Sequence, residues 1–115
     1  KLGDVKTKID WGYAKDYVEF SHKIMQQKKP DFFIIASGKK HSVLEFVKKS
    51  FDYVGLDYKK HIKIEKKLFR PSRTVSLVGN INKAKKTLNY RIKTNLDQLV
   101  SIMMENDLKL EKNNY

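Results

Sequence analysis

The sequence predicts an α+β fold in which four helices surround three short strands. Three observations predict it. Apolar residues recur at helical spacing in stretches that open or close on capping residues. A five-residue apolar run, Phe32-Phe33-Ile34-Ile35-Ala36, stands between Pro30 and Gly38, and Ile62 and Ile64 alternate with His61, Lys63 and Glu65. At 115 residues the chain makes one small domain or one lobe of a larger enzyme, and a hydrophobic share of 40% is enough to bury a core. No internal repeat or low-complexity linker divides it.

Residues 1–12 lack a helical period and read as an extended or looped lead-in, with Leu2, Val5 and Ile9 as apolar points. A first helix is predicted over 14–28, because Ala14, Tyr17, Val18, Ser21, Ile24 and Met25 share one face. Pro30 ends it, since the residue before a proline is pushed out of the α region. The run 32–36 suits a strand buried on both faces. Ser42-Val43-Leu44-Glu45 reads as a capping box, the serine taking the amide three residues on and the glutamate reaching back. The helix it opens, over 42–54, is expected to bury Val43, Leu44, Val47, Phe51 and Val54, with Gly55 as a left-handed cap. Short strands are predicted at 62–65 and, through Leu77-Val78, at 76–79. A short basic helix follows over 82–88. Thr94-Asn95-Leu96-Asp97 reads as a second capping arrangement with Asp in place of Glu, opening a helix over 94–108. Its buried stripe is Leu96, Leu99, Val100, Met103 and Leu108, and residues 109–115 are expected to fray.

The charge is lopsided, 25 Lys and Arg against 13 Asp and Glu, a formal +12. Such a balance invites a nucleic-acid reading, since phosphate neutralisation dominates that affinity. The distribution argues against it: the lysines are scattered doublets on predicted helix faces and loops, and no RNA-binding signature, zinc-finger spacing or basic zipper occurs. Lys59 to Arg70 is the densest basic stretch and the one suited to meet an anion. Without cysteine there is no disulfide framework, thiolate zinc site or cysteine nucleophile. The longest apolar run is far too short to span a bilayer, and no signal-peptide pattern follows Lys1. The expectation is a cytoplasmic piece of something longer, bound to neither nucleic acid nor membrane.

Catalytic chemistry is missing. A phosphate-cradling loop needs closely spaced glycines, and Gly3, Gly12, Gly38, Gly55 and Gly79 are widely separated. No Tyr is followed four residues later by Lys. His22, His41 and His61 lack metal-ligand spacing, and the first two read as an exposed helix residue and a loop residue before a cap. Neither a catalytic residue nor a metal site is expected in this chain.

Five strings in order nonetheless resemble one family. Asp10-Trp11-Gly12-Tyr13-Ala14-Lys15-Asp16-Tyr17-Val18 is similar to "RDWGYAKDYV" of the GDP-mannose 4,6-dehydratase family, extended short-chain dehydrogenases/reductases. Gln26-Gln27 with Pro30 to Ala36 is similar to its "QQ…PDDYVIATG". His41-Ser42-Val43 and Glu45-Phe46-Val47 are similar to "HSVREFV". Phe69-Arg70-Pro71 with Leu77 to Asn80 resembles "FRPAEVDLLLGD", and Lys83-Ala84-Lys85 resembles "SKAKE". The resemblance covers nearly the whole chain.

It implies an intact enzyme of two parts. An NADP-binding Rossmann part, carrying the catalytic Tyr, Lys, Glu and Thr, lies outside this chain. Residues 1–115 are then the C-terminal sugar-nucleotide-binding part. Such an enzyme, a homo-oligomer, oxidises GDP-mannose at C4, eliminates water across C5 and C6, and returns the hydride to C6. For substrate binding the resemblance implies Leu2 and Gly3, whose backbone would lie along the nucleotide, Lys8 in the adjoining loop, and Arg70. A guanidinium suits a diphosphate because its planar fork donates two parallel hydrogen bonds. Asp10 and Trp11 are expected to brace the loop, and Asp16 to cap or bond within the fold.

Two departures bear on the site. The family arginine of "RDWG" is Ile9 here, and a Glu that contacts sugar or ribose is Arg73. Arg73 is therefore a candidate to reach the phosphate that the lost arginine would have held. A third change, "LGW" to Leu88-Asn89-Tyr90, reads as a matter of packing. Ile9 and Arg73 also leave open another nucleotide-sugar dehydratase or epimerase of the superfamily. The charge alone leaves open a non-catalytic basic binding module.

Overall fold

A computed structural model describes residues 1–69 and 76–113. The lead-in segment forms a short antiparallel pair: β1 (Lys8–Ile9) lies against β2 (His41–Ser42), with Lys8 opposite Ser42 and Ile9 opposite His41. Val43 and Leu44 extend the pairing by donating to the carbonyls of Thr7 (3.0 Å) and Val5 (2.9 Å). Between the two strands runs α1 (Ala14–Met25). After β2 the chain continues as α2 (Val43–Tyr53), α3 (Tyr58–His61), a 3₁₀ turn at Lys66–Leu68, α4 (Asn82–Leu88) and α5 (Leu96–Asn113). No described helix is long and apolar enough to cross a membrane.

Helix α1 packs on α4, and Phe20, Ile81, Ala84, Leu88 and Tyr90 close the core there, with Ile24, Phe33, Ile35 and Ala36 against it. The Phe20 and Tyr90 rings meet edge to face at 4.4 Å, and the Tyr90 hydroxyl donates to the Ala36 carbonyl at 2.7 Å. The predicted face of α1 is only partly the inward one: Tyr17 and Ile24 are half-covered and Ile24 packs on the core. Asp16 and Phe20 are buried, whereas Val18 is 68% and Met25 73% exposed. A charged residue at position 16 hides the inward face from an apolar count. Its carboxylate accepts the Thr94 N–H at 3.0 Å and so is paired where it is buried.

The second helix begins on Ser42 as predicted, the serine hydroxyl accepting the Glu45 N–H at 3.1 Å. Glu45 does not reach back; it takes His41 Nδ1 at 2.8 Å instead. The helix ends in a Schellman cap. Gly55, at φ +69°, donates to Asp52 (3.1 Å) and Leu56 donates to Phe51 (3.0 Å), a conformation that glycine adopts without a Cβ penalty. None of α2's residues is fully buried. Val43, Leu44, Val47 and Phe51 are half-covered, Phe51 stacking on His61 of α3 at 5.5 Å, and Val54 is exposed. The α5 box sits one residue later than predicted: Asn95 and Gln98 exchange side-chain and backbone bonds at 2.9 Å each way. Asp97 is thereby free to pair with Lys49 on α2. Leu96, Leu99 and Val100 are buried, but Met103 and Leu108 are exposed, and the helix runs through residues 109–113 rather than fraying.

The predicted strands fare differently. Residues 62–65 make an isolated parallel bridge, Ile64 to Leu2. Residues 32–36 and 76–79 form no ladder among the described residues. They lie side by side, so close that a Cβ on Gly79 would stand 2.2 Å from the Cβ of Ala36. The burial expected on both faces is found on one only. Phe33 and Ile35 face the core while Phe32, 92% exposed, and Ile34 face outward. The radius of gyration, 17.3 Å, exceeds the roughly 13 Å of an independent domain of this length.

Candidate functional site

The N-terminal residues are fixed by backbone bonds. Leu2 donates to the Lys63 carbonyl at 2.8 Å and accepts from the Glu65 N–H at 2.8 Å. Gly3 follows, so near the 3₁₀ turn that a Cβ would stand 2.6 Å from the Leu68 carbonyl oxygen. Backbone cannot yield as a side-chain tip can, so the sequence places glycine there. Leu68 lies two residues before Arg70. Beyond residues 70–75, the Ser76 hydroxyl donates to the Lys8 carbonyl at 3.2 Å. Of the described residues beside 70–75, Leu68 thus lies close against Gly3 and Ser76 is bonded to Lys8. Arg70 and Arg73 themselves lie outside the described residues. Lys8 and Ile9 are exposed on β1.

The string from Asp10 to Tyr17 holds this frame together. Asp10 Oδ1 accepts the Ser37 N–H at 2.8 Å, and Oδ2 accepts those of Gly38 (3.0 Å) and Gly79 (3.1 Å). Trp11 packs edge-on to Phe46 at 5.1 Å. Asp10 and Trp11 therefore brace the loop, as predicted. Burial, and after it the carboxylates of Asp10 and Asp16, push the Tyr17 hydroxyl above its ordinary pKa. Burial, then Tyr17, Asp16 and Asp10, push Tyr90 up to about 12.

A separate cleft of about 430 Å³ opens beside Trp11, His41, Glu45, Lys49 and the start of α5. Three of its basic side chains have carboxylate partners, His41 on Glu45, Lys49 on Asp97 and Lys93 on Glu19 at 2.6 Å, while Lys39 pairs with no acid among the described residues. The hydrogen bond from Lys93 holds the Glu19 carboxyl below the usual range, and the one that Lys49 donates to Asp97 raises the lysine. Among the described residues no three His, Asp or Glu side chains could share a metal ion. His22 is exposed on α1 as predicted; His41 is held on β2 rather than in a loop. Glu65 was not singled out from sequence, being one acid in a lysine run. Its side chain is nonetheless mostly buried between Lys1 and Lys67, each at 3.3 Å.

The architecture is a helix-rich lobe with one two-stranded sheet, and a larger solved protein contains the same fold. A solved structure described as RMD from Pseudomonas aeruginosa complexed with NADPH superposes at TM-score 0.77 and 11% identity, covering 90% of this chain and 34% of that one. The family model described as GDP-mannose 4,6 dehydratase matches residues 1–103, and the chain belongs to that family. GDP-mannose 4,6 dehydratase 1 of Arabidopsis thaliana is 42% identical over 111 residues, 96% of this chain and 31% of its own length. The enzymes named GDP-mannose 4,6 dehydratase from Dictyostelium discoideum and Homo sapiens are 40% and 36% identical, over 97% and 98% of this chain. The chain spans about a third of the length of these relatives.

Proposed function

We propose that this chain is the sugar-nucleotide-binding part of a GDP-mannose 4,6-dehydratase. The intact enzyme, a cytoplasmic homo-oligomer, converts GDP-mannose to GDP-4-dehydro-6-deoxymannose with bound NADP. Family membership supports the reaction. The observation that carries the site is that both sides of residues 70–75 lie on the lead-in, Leu68 close against Gly3 and Ser76 bonded to Lys8. In this reading the backbone of Leu2 and Gly3 runs along the nucleotide, Lys8 adds charge at the rim, and Arg70 forks onto the diphosphate. Arg73 takes the phosphate that an arginine at position 9 would have held.

The residues present do not fit NADP. Gly3 and Gly79 are filled by backbone and side-chain neighbours, Gly55 is a helix cap, and no described glycine loop opens onto a helix N-terminus. Hydride transfer is accordingly assigned to the remainder of the protein, and no described residue here carries a chemical step. The outward residues Phe32, Ile34, Leu77 and Val18 are the surface on which that remainder packs.

Ile9 and Arg73 favour a second reading, a different nucleotide-sugar dehydratase or epimerase of the superfamily. Calorimetric titration of the full-length protein with GDP-mannose and its CDP and UDP counterparts separates the two. The first reading requires GDP-mannose to bind tightest and to be dehydrated. If Arg73→Ala leaves affinity intact, the charge swap is wrong. Salt-dependent RNA binding with none to any nucleotide sugar would replace both readings by a basic binding module.

A further inference from the structure

The cleft of about 430 Å³ at the starts of α2 and α5 has the size of a small-molecule site, and the function proposed above makes no use of it. Trp11, the single tryptophan of the chain, lines it half-buried, its ring held edge-on by Phe46. His41 lines it too, with Nδ1 on Glu45 Oε1 at 2.8 Å. That leaves Nε2 and the second Glu45 oxygen without a partner among the described residues. Asn95 and Gln98 each use their side-chain oxygen on the other's backbone N–H, at 2.9 Å, so both NH₂ groups remain as donors. Lys49 and Lys93 are taken by Asp97 and Glu19. Lys39 is not, and two things set it apart from other unpaired surface lysines. It lines this cleft, and its backbone is fixed: the buried Ser37 hydroxyl accepts its N–H at 3.1 Å and donates to its carbonyl at 2.8 Å.

We infer that the cleft binds a phosphorylated sugar, with a C–H face of the sugar on Trp11, hydroxyls on His41, Glu45 and the two amides, and the phosphate on Lys39. An aromatic ring offers its negative face to the weakly positive C–H bonds of a sugar. A hydroxyl both donates and accepts, which suits imidazole and carboxylate acceptors found together with amide donors. The acids of the cleft do little to repel an anion, because Glu45 and Asp97 are already engaged by His41 and Lys49. A phosphate monoester carries a charge of about −1.5 to −2 at neutral pH. Lys39 can therefore contribute in the cleft, where a lysine on open surface contributes little. None of these residues belongs to the nucleotide-sugar site proposed above, and none lies within 70–75, so the cleft is a second and separate site.

The test is calorimetric titration of the full-length protein with glucose 6-phosphate, and with glucose and inorganic phosphate as its two halves. Glucose 6-phosphate is expected to bind, and each half to bind at least about tenfold more weakly. Binding should persist when GDP-mannose is present in excess. Lys39→Gln should weaken it roughly five- to tenfold, and Glu45→Gln, which releases the imidazole, about threefold or more. Lys85→Gln, which removes an unpaired exposed lysine from α4, should match the parent. The inference is overturned if the parent binds no glucose 6-phosphate, or if inorganic phosphate binds as tightly as the sugar phosphate. Displacement by GDP-mannose would place the ligand in the nucleotide-sugar site and overturn it as well. Equal weakening by Lys39→Gln and Lys85→Gln would reduce the effect to net charge, with the same consequence.

Discussion

Asp10 and Gly79 are joined by a 3.1 Å hydrogen bond across 69 residues of sequence, from the glycine N–H to the carboxylate Oδ2. With the bonds from Ser37 and Gly38, one side chain pins β1, the turn after residue 36 and the segment before α4. Asp10→Asn keeps the shape but turns an NH₂ toward backbone donors. Charge-assisted bonds of this kind are worth about 1.5–3 kcal/mol, so the variant should lose about 2–4 kcal/mol. Chemical denaturation of parent and variant measures it; a loss below about 0.5 kcal/mol would make the three bonds incidental.

What the sequence could reveal followed from local signals. The Ser42 cap, Gly55 and the 82–88 helix were legible because each is written within a few residues. The inward face of α1 was not, because Asp16 breaks the apolar stripe and its partner, the Thr94 N–H, is 78 residues away. Residues 32–36 read as a strand buried on both faces because the run is apolar throughout, yet Phe32 and Ile34 are exposed. A strand also needs a neighbour's backbone, and the pattern cannot say where that neighbour is. In the candidate site, Leu2, Gly3 and Lys8 were legible only through resemblance. No residue type at those positions announces a ligand; what joins them is contact with residues 63–68 and 76.

Asn89 closes α4 in the left-handed region at φ 49°, where the resembling families' "LGW" string has glycine. Asparagine tolerates that conformation better than other residues with a Cβ. Asn89→Ala should therefore destabilise by about 1 kcal/mol, while Asn89→Gly should be neutral or slightly stabilising. Thermal melts of both decide it. Equal effects from the two would show that the Asn side chain, not the backbone angle, matters.

Tyr90 gives a pH dependence whose sign is fixed. Its folded pKa is pushed up to about 12, above an ordinary value near 10, so the folded state favours the protonated phenol. That contribution is complete below about pH 10 and is lost as pH rises toward about 12. Tyr90→Phe removes the 2.7 Å bond to Ala36, so at neutral pH it should cost about 1 kcal/mol. Above pH 10 the parent's advantage should shrink and then reverse, because only the parent must ionise a buried ring. Denaturation of both proteins from neutral pH upward cancels the lysine titrations common to them. Parallel stability curves would mean that Tyr90 opens to solvent before it ionises.

Gly3 offers the most direct link between frame and ligand. A methyl there would stand 2.6 Å from the Leu68 carbonyl oxygen and 3.1 Å from its carbon, both backbone atoms that cannot rotate aside. Gly3→Ala must push residues 63–68 away from Leu2 and Gly3, and Arg70 is attached to that segment. Overpacking of this kind costs about 1–3 kcal/mol of stability. A misplacement near 1 Å at a binding group can cost on the order of a hundredfold in function. In the full-length protein, KM for GDP-mannose should therefore rise about ten- to a hundredfold, with kcat falling less, since the reacting groups lie elsewhere. If KM holds while stability drops, the glycine serves packing alone, and the ligand does not depend on the register between residues 1–3 and the turn before Arg70.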